Sequence, residues 1–326
     1  MSETEMDGHR RIPRALMTLL RSKVVRWGFL AVALGLCLYT VARQWQQVRG
    51  ALAGLSVPVL LGSFAGVALA MLASAEVWRV LLGALGSPLP RRAAASIMFV
   101  GQLGKYLPGS VWPVLAQMEL GKAHDVPRRH SATAAVLTML VSLCGGLLVA
   151  VVTLPFTAPS SGYRWFLLAA PVLLAVLHPR LLNPILRVAT RGRVSVDGLD
   201  LRQVGIALAW SVASWLCYGL PIWLLATRLG ASPGHTALLA VGGFAFAWSV
   251  GFLVVIAPAG AGVRDVLLVA TLAAVLPVGD ATAVALVSRL LMTVGDVLAA
   301  AIAASLGRVR FGQRNGHGEP EARQSG

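Results

Sequence analysis

The nine residues Gly104-Lys105-Tyr106-Leu107-Pro108-Gly109-Ser110-Val111-Trp112 constrain this chain more than any other stretch. They set a lysine and a Gly/Pro break inside the apolar run 93–118, where Lys105 is the one charged side chain. Pro108 lacks a backbone donor and its ring clashes with the preceding turn, so the run cannot form one regular helix. In hydrocarbon, a broken backbone carrying a charge persists only where protein or a water-filled cavity satisfies it. The stretch is therefore expected to be a re-entrant hairpin, broken at Gly104, Pro108 and Gly109, and a path for a polar group through a membrane.

Composition supplies the membrane. The 326 residues are 57% hydrophobic and only 13% charged, and the mean hydropathy is +0.75. A soluble protein of this length could not hide so much apolar surface, and several uncharged runs reach the ~20 residues that cross a bilayer. Full spans are expected at 27–42, 51–75, 131–154, 165–177, 204–226 and 281–305. A short amphipathic piece covers 76–85, and a long polar loop covers 178–203. A second broken element, 236–276, is interrupted by Pro258-Ala259-Gly260-Ala261-Gly262-Val263-Arg264-Asp265, with breaks at Pro258, Gly260 and Gly262. The expected fold is all-α: a polytopic integral membrane protein of about six full spans plus two re-entrant helical hairpins. Residues 1–25 form a basic cytoplasmic N-terminus, 26–306 the transmembrane domain, and 307–326 a disordered cytoplasmic tail. The N-terminus resembles a signal sequence, but no small-x-small cleavage site follows the first apolar run, so that run reads as an uncleaved span.

The net charge of +15 fits orientation and lipid contact better than nucleic-acid binding, because the basic residues lie between spans. With a cytoplasmic N-terminus and both broken elements returning to the side they enter, only Arg43, Arg49, Arg164 and Arg228 lie outside. Lys105, Arg264 and Arg289 lie within the membrane zone, and the remaining basic residues are cytoplasmic. Two full crossings in the second element keep the same charge balance. They require 266–276 to span, which is too short at ~1.5 Å per residue. Paired Gly/Pro-interrupted segments in two halves of a chain point to the central site of a transporter.

Lys105 is expected to attract a phosphate or other anionic headgroup, with Tyr106 and Trp112 lining the groove; the plainer alternative is a lysine that snorkels to water. Arg264 offers a planar fork for phosphate. Asp265 either orients Arg264 or caps the following helix. Arg289 and Asp296, seven apart, share a face of the last span, and Arg289 is expected to pair with an intramembrane charge such as Asp265. Asp280 reads as a helix cap, and Glu76 with Arg79 as a local ion pair. Gln102, Gln117 and Glu119 flank the first hairpin as polar lining. Gly62-Ser63-Phe64-Ala65-Gly66 is a GxxxG match for close helix packing. Asp197 and Asp200 fit a solvated turn better than a metal site. Cys37, Cys144 and Cys217 fall in apolar runs without metal-ligand spacing. No zincin, serine-hydrolase or P-loop motif is present, so no metal, cofactor or catalytic residue is expected.

The first motif resembles the signature of the lysylphosphatidylglycerol synthase transmembrane-region family. His178-Pro179-Arg180-Leu181-Leu182-Asn183-Pro184, the second Pro/Gly motif, and Ser288-Arg289-Leu290-Leu291 with Asp296 resemble further family elements in the same order, over about residues 25–305. The family more often has Pro-Gly-Gly-x-Gly and Glu where this chain has Ala259 and Asp265. The resemblance implies a membrane protein like the flippase half of the multiple peptide resistance factor, in stand-alone form. The cytosolic aminoacyl-transferase domain of that factor is expected to be absent.

The expected function is a flippase-like lipid translocase, moving an anionic phospholipid or lipid-linked intermediate between leaflets of a bacterial inner membrane. Both termini are cytoplasmic in this reading. Its expected partners are membrane phospholipids or prenyl-linked lipids, with a separately encoded transferase or a second copy of the chain as further partners. Two alternatives stand beside it: a non-catalytic membrane partner of such a transferase, and an intramembrane headgroup transferase.

Overall fold

The structure, a computed structural model, describes residues 56–106, 111–157, 168–182, 184, 199–253 and 262–311. All regular elements among them are helical. The expected first span at 27–42, the N-terminal segment, and breaks Pro108, Gly109, Pro258 and Gly260 lie outside the described residues.

Helix α1 runs Val57–Ala84. It absorbs most of the piece 76–85 that the sequence set apart. Glu76 and Arg79 do not interrupt it, because three residues of spacing puts them on one face, where Arg79 Nη2 meets Glu76 Oε2 at 2.6 Å. A pair satisfied within its own helix removes the reason to break the helix there. Arg91 Nε reaches the same carboxylate at 3.2 Å, joining the end of α1 to the start of α2.

The first broken element is two short helices, α2 (Arg91–Gln102) and α3 (Trp112–Gly121), with a 3-10 turn Leu103–Tyr106 after α2. Their 12 and 10 residues give about 18 and 15 Å of helix, half a bilayer each. They fold back on one another. Gln117 Nε2 sits 3.5 Å from Met98 Sδ. A Cβ at Gly104 would stand 2.6 Å from Pro113 N and 2.8 Å from Trp112 C. Only glycine lets the two backbones come that close.

Helix α4 (Arg128–Thr153) is followed by α5 (Ala169–Val176), the described part of the span expected at 165–177. Helix α6 is Leu201–Arg228. It begins at Asp200, whose backbone N–H donates to Gln203 Oε1 at 3.0 Å, so Asp200 opens a helix. The second broken element is α7 (Pro233–Leu253) and α8 (Val263–Leu272). They are antiparallel: positions 243 and 251 of α7 face Thr271 and Arg264 of α8. At 21 residues α7 alone is long and apolar enough to span, whereas α8 has 10. The last helix, α9, runs Val278–Phe311, past the border expected at 306. Five described helices (α1, α6, α7, α9, and α4 with its 3-10 extension) meet the length and composition of a membrane span.

The bundle is apolar outside and partly polar inside. On α1, Val57, Leu61, Leu69 and Leu72 are 51–67% exposed, while Ser63, Ser211, Ser214, Thr236, Ser249 and Asp296 are at most 5% exposed. That inversion suits a lipid solvent, where small residues and hydrogen bonds hold helices together. The GxxxG stripe does this on α1. Pro221 lacks the N–H that would bond the Cys217 carbonyl, and Gly66 packs against that carbonyl: a Cβ there would stand 3.1 Å from Cys217 O.

Candidate functional site

Both broken elements end at α9. The turn after α2 carries Lys105 and Tyr106, the first turn of α8 carries Arg264 and Asp265, and α9 carries Arg289 and Asp296. Arg264 lies within electrostatic reach of Tyr106, Asp265, Arg289 and Asp296. The cluster therefore gathers residues more than 150 positions apart in sequence into one site.

An unpaired charge at the bilayer centre costs about 3 kcal/mol on insertion scales, so partners decide which of these charges can persist. Asp296, 5% exposed, accepts from two groups through one oxygen: Lys105 Nζ is 2.5 Å from Oδ2, and the Tyr106 hydroxyl donates to it at 2.6 Å. Lys105 also lies over the Tyr106 ring, 5.4 Å from its centroid. Asp265 pairs with Arg289 through Oδ2. The same oxygen accepts from the Gly262 backbone N–H at 3.4 Å, where Gly262 has a φ of 92° that favours glycine. Of the two roles that the sequence left open for Asp265, the structure shows the helix cap, while its close ion-pair partner is Arg289 and not Arg264. The Arg289–Asp265 pair is the one named from the sequence.

Arg264 is placed differently. Its Nη2 stands 3.6 Å from Asp265 Oδ1, beyond hydrogen-bond distance. Its guanidinium lies over the Phe244 ring at 5.9 Å, and its side chain is 16% exposed. Phe244 belongs to an aromatic wall in which Trp215, Tyr218 and Trp248 follow at centroid distances of 5.1–6.2 Å.

Trp112 opens α3, half-buried, with its backbone against Gly104. Gln117 is buried between α2 and α3, packed on Met98. Glu119 is taken by Lys122 and Arg128 at the far end of α3, away from the cluster. Sequence reasoning missed Tyr218, Ser74 and Phe244. The Tyr218 hydroxyl lies within electrostatic reach of Asp296 and Arg264. Ser74 meets the Ser214 hydroxyl at 2.8 Å, and Ser214 donates to the Ala70 carbonyl at 3.1 Å. The available signal was weak: a tyrosine in a span with no charged neighbour, on a chain with four tyrosines. Among the described residues, no three His, Cys, Asp or Glu side chains converge as a metal site.

An apolar helical bundle with five helices long and apolar enough to cross a membrane defines a polytopic integral membrane protein, and a charged cluster lies between its short helices and α9. More particularly, the chain belongs to the lysylphosphatidylglycerol synthase TM region family, which matches residues 26–300. Membership is consistent with a membrane lipid-related role. No curated protein matches the chain.

Proposed function

We propose that the protein is a lipid translocase that moves an anionic phospholipid or lipid-linked intermediate between leaflets. The observation that carries the proposal is the meeting of two interrupted elements and the last helix at one charged cluster inside an apolar bundle. Interrupted helices whose ends meet in a bundle are the recurrent design of transporter sites. In this reading α2–α3 is a re-entrant hairpin from the cytoplasmic side, and α8 returns part-way from the other side. The headgroup crosses between them beside Arg264, with Lys105, Tyr106 and Trp112 at the first break, while acyl or prenyl chains stay in lipid. The sequence carries no nucleotide-binding motif, so movement is passive or follows an ion gradient. The setting is a bacterial inner membrane with cytoplasmic termini, the orientation that the distribution of Lys and Arg favours.

Reconstitution into vesicles with leaflet-resolved labelled lipids tests this. Protein-dependent movement that is lost in Arg264→Gln supports it. Absence of movement of every phospholipid and prenyl phosphate tried overturns it. A modified lipid product formed in detergent would replace it with a headgroup transferase, and a co-purifying transferase without movement would replace it with a partner subunit.

A further inference from the structure

Lys105 and Asp296 form an ion pair whose two members stand in different surroundings. The lysine side chain is 35% exposed and the aspartate side chain 6%. Lys105 belongs to the turn that ends a short helix, whereas Asp296 lies within the long helix α9. We propose that Asp296 is a proton-binding site, filled when Lys105 leaves it for an anionic headgroup, which makes the proton the coupling ion of lipid movement. The inference rests on the translocase reading and supplies its driving ion.

Separating the pair has unequal consequences. An ammonium on a flexible four-carbon stem follows water or a phosphate and keeps its charge. The carboxylate has no such stem, and a buried charge that loses its partner is left with its desolvation uncompensated. Burial then favours the neutral acid. The proton comes from water and forms one O–H bond on the carboxylate, while Lys105 keeps all of its own protons. The Tyr106 hydroxyl, which donates to Asp296 Oδ2 at 2.6 Å, can accept from a carboxyl O–H instead, so the neutral acid retains a partner. When Lys105 returns, the proton goes back to water and the ion pair re-forms.

The charges around Asp296 fit this exchange. Helix α9 packs against α1, α2, α6, α8 and the turn after α2. The turn brings Lys105 and Tyr106. Arg264 of α8 and Tyr218 of α6, with Cys217 beside it, lie within electrostatic reach. Arg264 favours the carboxylate, and the negative charge of an arriving headgroup opposes that pull. Arg289, two turns away on α9, is held by Asp265 of α8. On α1 and α2, Glu76, Arg79 and Arg91 form one network, and Arg92 is exposed. Asp265 does not share the asymmetry of Asp296. Its side chain and that of Arg289 are 19% and 22% exposed, and Gly262 N–H supplies a second donor.

The test uses the full chain in phosphatidylcholine vesicles carrying a trace of fluorescent phosphatidylglycerol, with a pH difference imposed across the membrane and protein-free vesicles as reference. One proton per headgroup should enrich the label in the leaflet facing the alkaline side by about tenfold per pH unit, since each unit is a factor of ten per proton. Asp296→Asn, which mimics the neutral acid permanently, should leave the label evenly distributed. Asp265→Asn should keep the response to the gradient, at whatever rate it moves lipid. A second measurement needs no variant: in micelles, phosphatidylglycerol binding to the unaltered chain should draw about one proton from weakly buffered solution, read with a pH dye, and raise a carboxylic-acid C=O band in the infrared difference spectrum. Lipid movement indifferent to the gradient overturns the proposal, as does binding without proton uptake, or a gradient response that survives Asp296→Asn. Each of these leaves the translocase reading standing where movement is seen. Proton uptake on binding without any transbilayer movement keeps the proton site and sinks the translocase reading alone.

Discussion

The Lys105 ammonium lies 2.5 Å from Asp296 Oδ2, so the turn of the first broken element is tied to the last helix by an ion pair. The sequence alone casts Lys105 as a free cation awaiting a headgroup. The pairing changes what its removal should do. Lys105→Met leaves a 5%-exposed carboxylate with Tyr106 as its remaining contact donor. Breaking a buried pair by deleting one partner costs about 3–5 kcal/mol. Lys105, at 35% side-chain exposure, moves this toward about 1–3 kcal/mol. Thermal unfolding in detergent should show Lys105→Met less stable than Lys105→Met combined with Asp296→Asn. A double variant no more stable than the single one would remove the pair from the energetics.

Asp265 holds Arg289 through Oδ2 and caps α8 through Gly262 N–H. Asparagine at this position keeps an acceptor for the cap and loses the charge, whereas alanine loses both. The unaltered chain is expected to be the most stable, Asp265→Asn less so and Asp265→Ala least, with about 1 kcal/mol assigned to the cap step. Detergent melting curves for the two variants check the order. An alanine variant as stable as the asparagine variant would show that the cap contributes nothing.

The parts of this arrangement legible in the sequence are those fixed by local rules. Apolar run length located α1, α4, α6 and α9, because each turn of helix in lipid must satisfy its own backbone. Seven-residue spacing put Arg289 and Asp296 on one face, and the need of an intramembrane cation for a partner named the Arg289–Asp265 pair. What escaped was non-local or disguised by composition. The meeting of Lys105 with Asp296 depends on how a hairpin docks, which no local periodicity encodes. Residues 76–85 looked separate because Glu76 and Arg79 are charged, yet they pair with each other inside α1. Tyr218 looked like any apolar-span aromatic, since its place beside the site comes from packing on Phe244 of another helix.

Gly66 meets the carbonyl that Pro221 leaves without its helical donor. Alanine needs the neighbours to give by a few tenths of an ångström, because its Cβ would stand 3.1 Å from Cys217 O and from Pro221 Cδ. Valine adds two methyls where α1 and α6 already touch. Gly66→Val is expected to cost about 1–3 kcal/mol, the range for overpacking, and Gly66→Ala less. The readout is the fraction of each variant that remains monodisperse after heating. Equal survival of the valine variant would mean that α1 and α6 are not packed this closely.

Gly104 gives the sharpest separation of hairpin from bundle. The obstacle to a side chain there is backbone, Pro113 N at 2.6 Å and Trp112 C at 2.8 Å, and neither can rotate away as a side-chain end can. Gly104→Ala must therefore push α3 off the turn that carries Lys105 and Tyr106, while α1, α4, α6 and α7 keep their own contacts. A displacement of about 1 Å is enough to break hydrogen bonds made at 2.5–2.6 Å. The expected result is a protein that still inserts and purifies with its helical content unchanged, but whose Lys105 reacts faster with an amine-selective reagent because Asp296 no longer holds it. Gly205→Ala serves as the control, since a Cβ there meets nothing within 4 Å. Lys105 reactivity unchanged in Gly104→Ala would mean that the turn is not held by α3, and that Asp296 alone positions it.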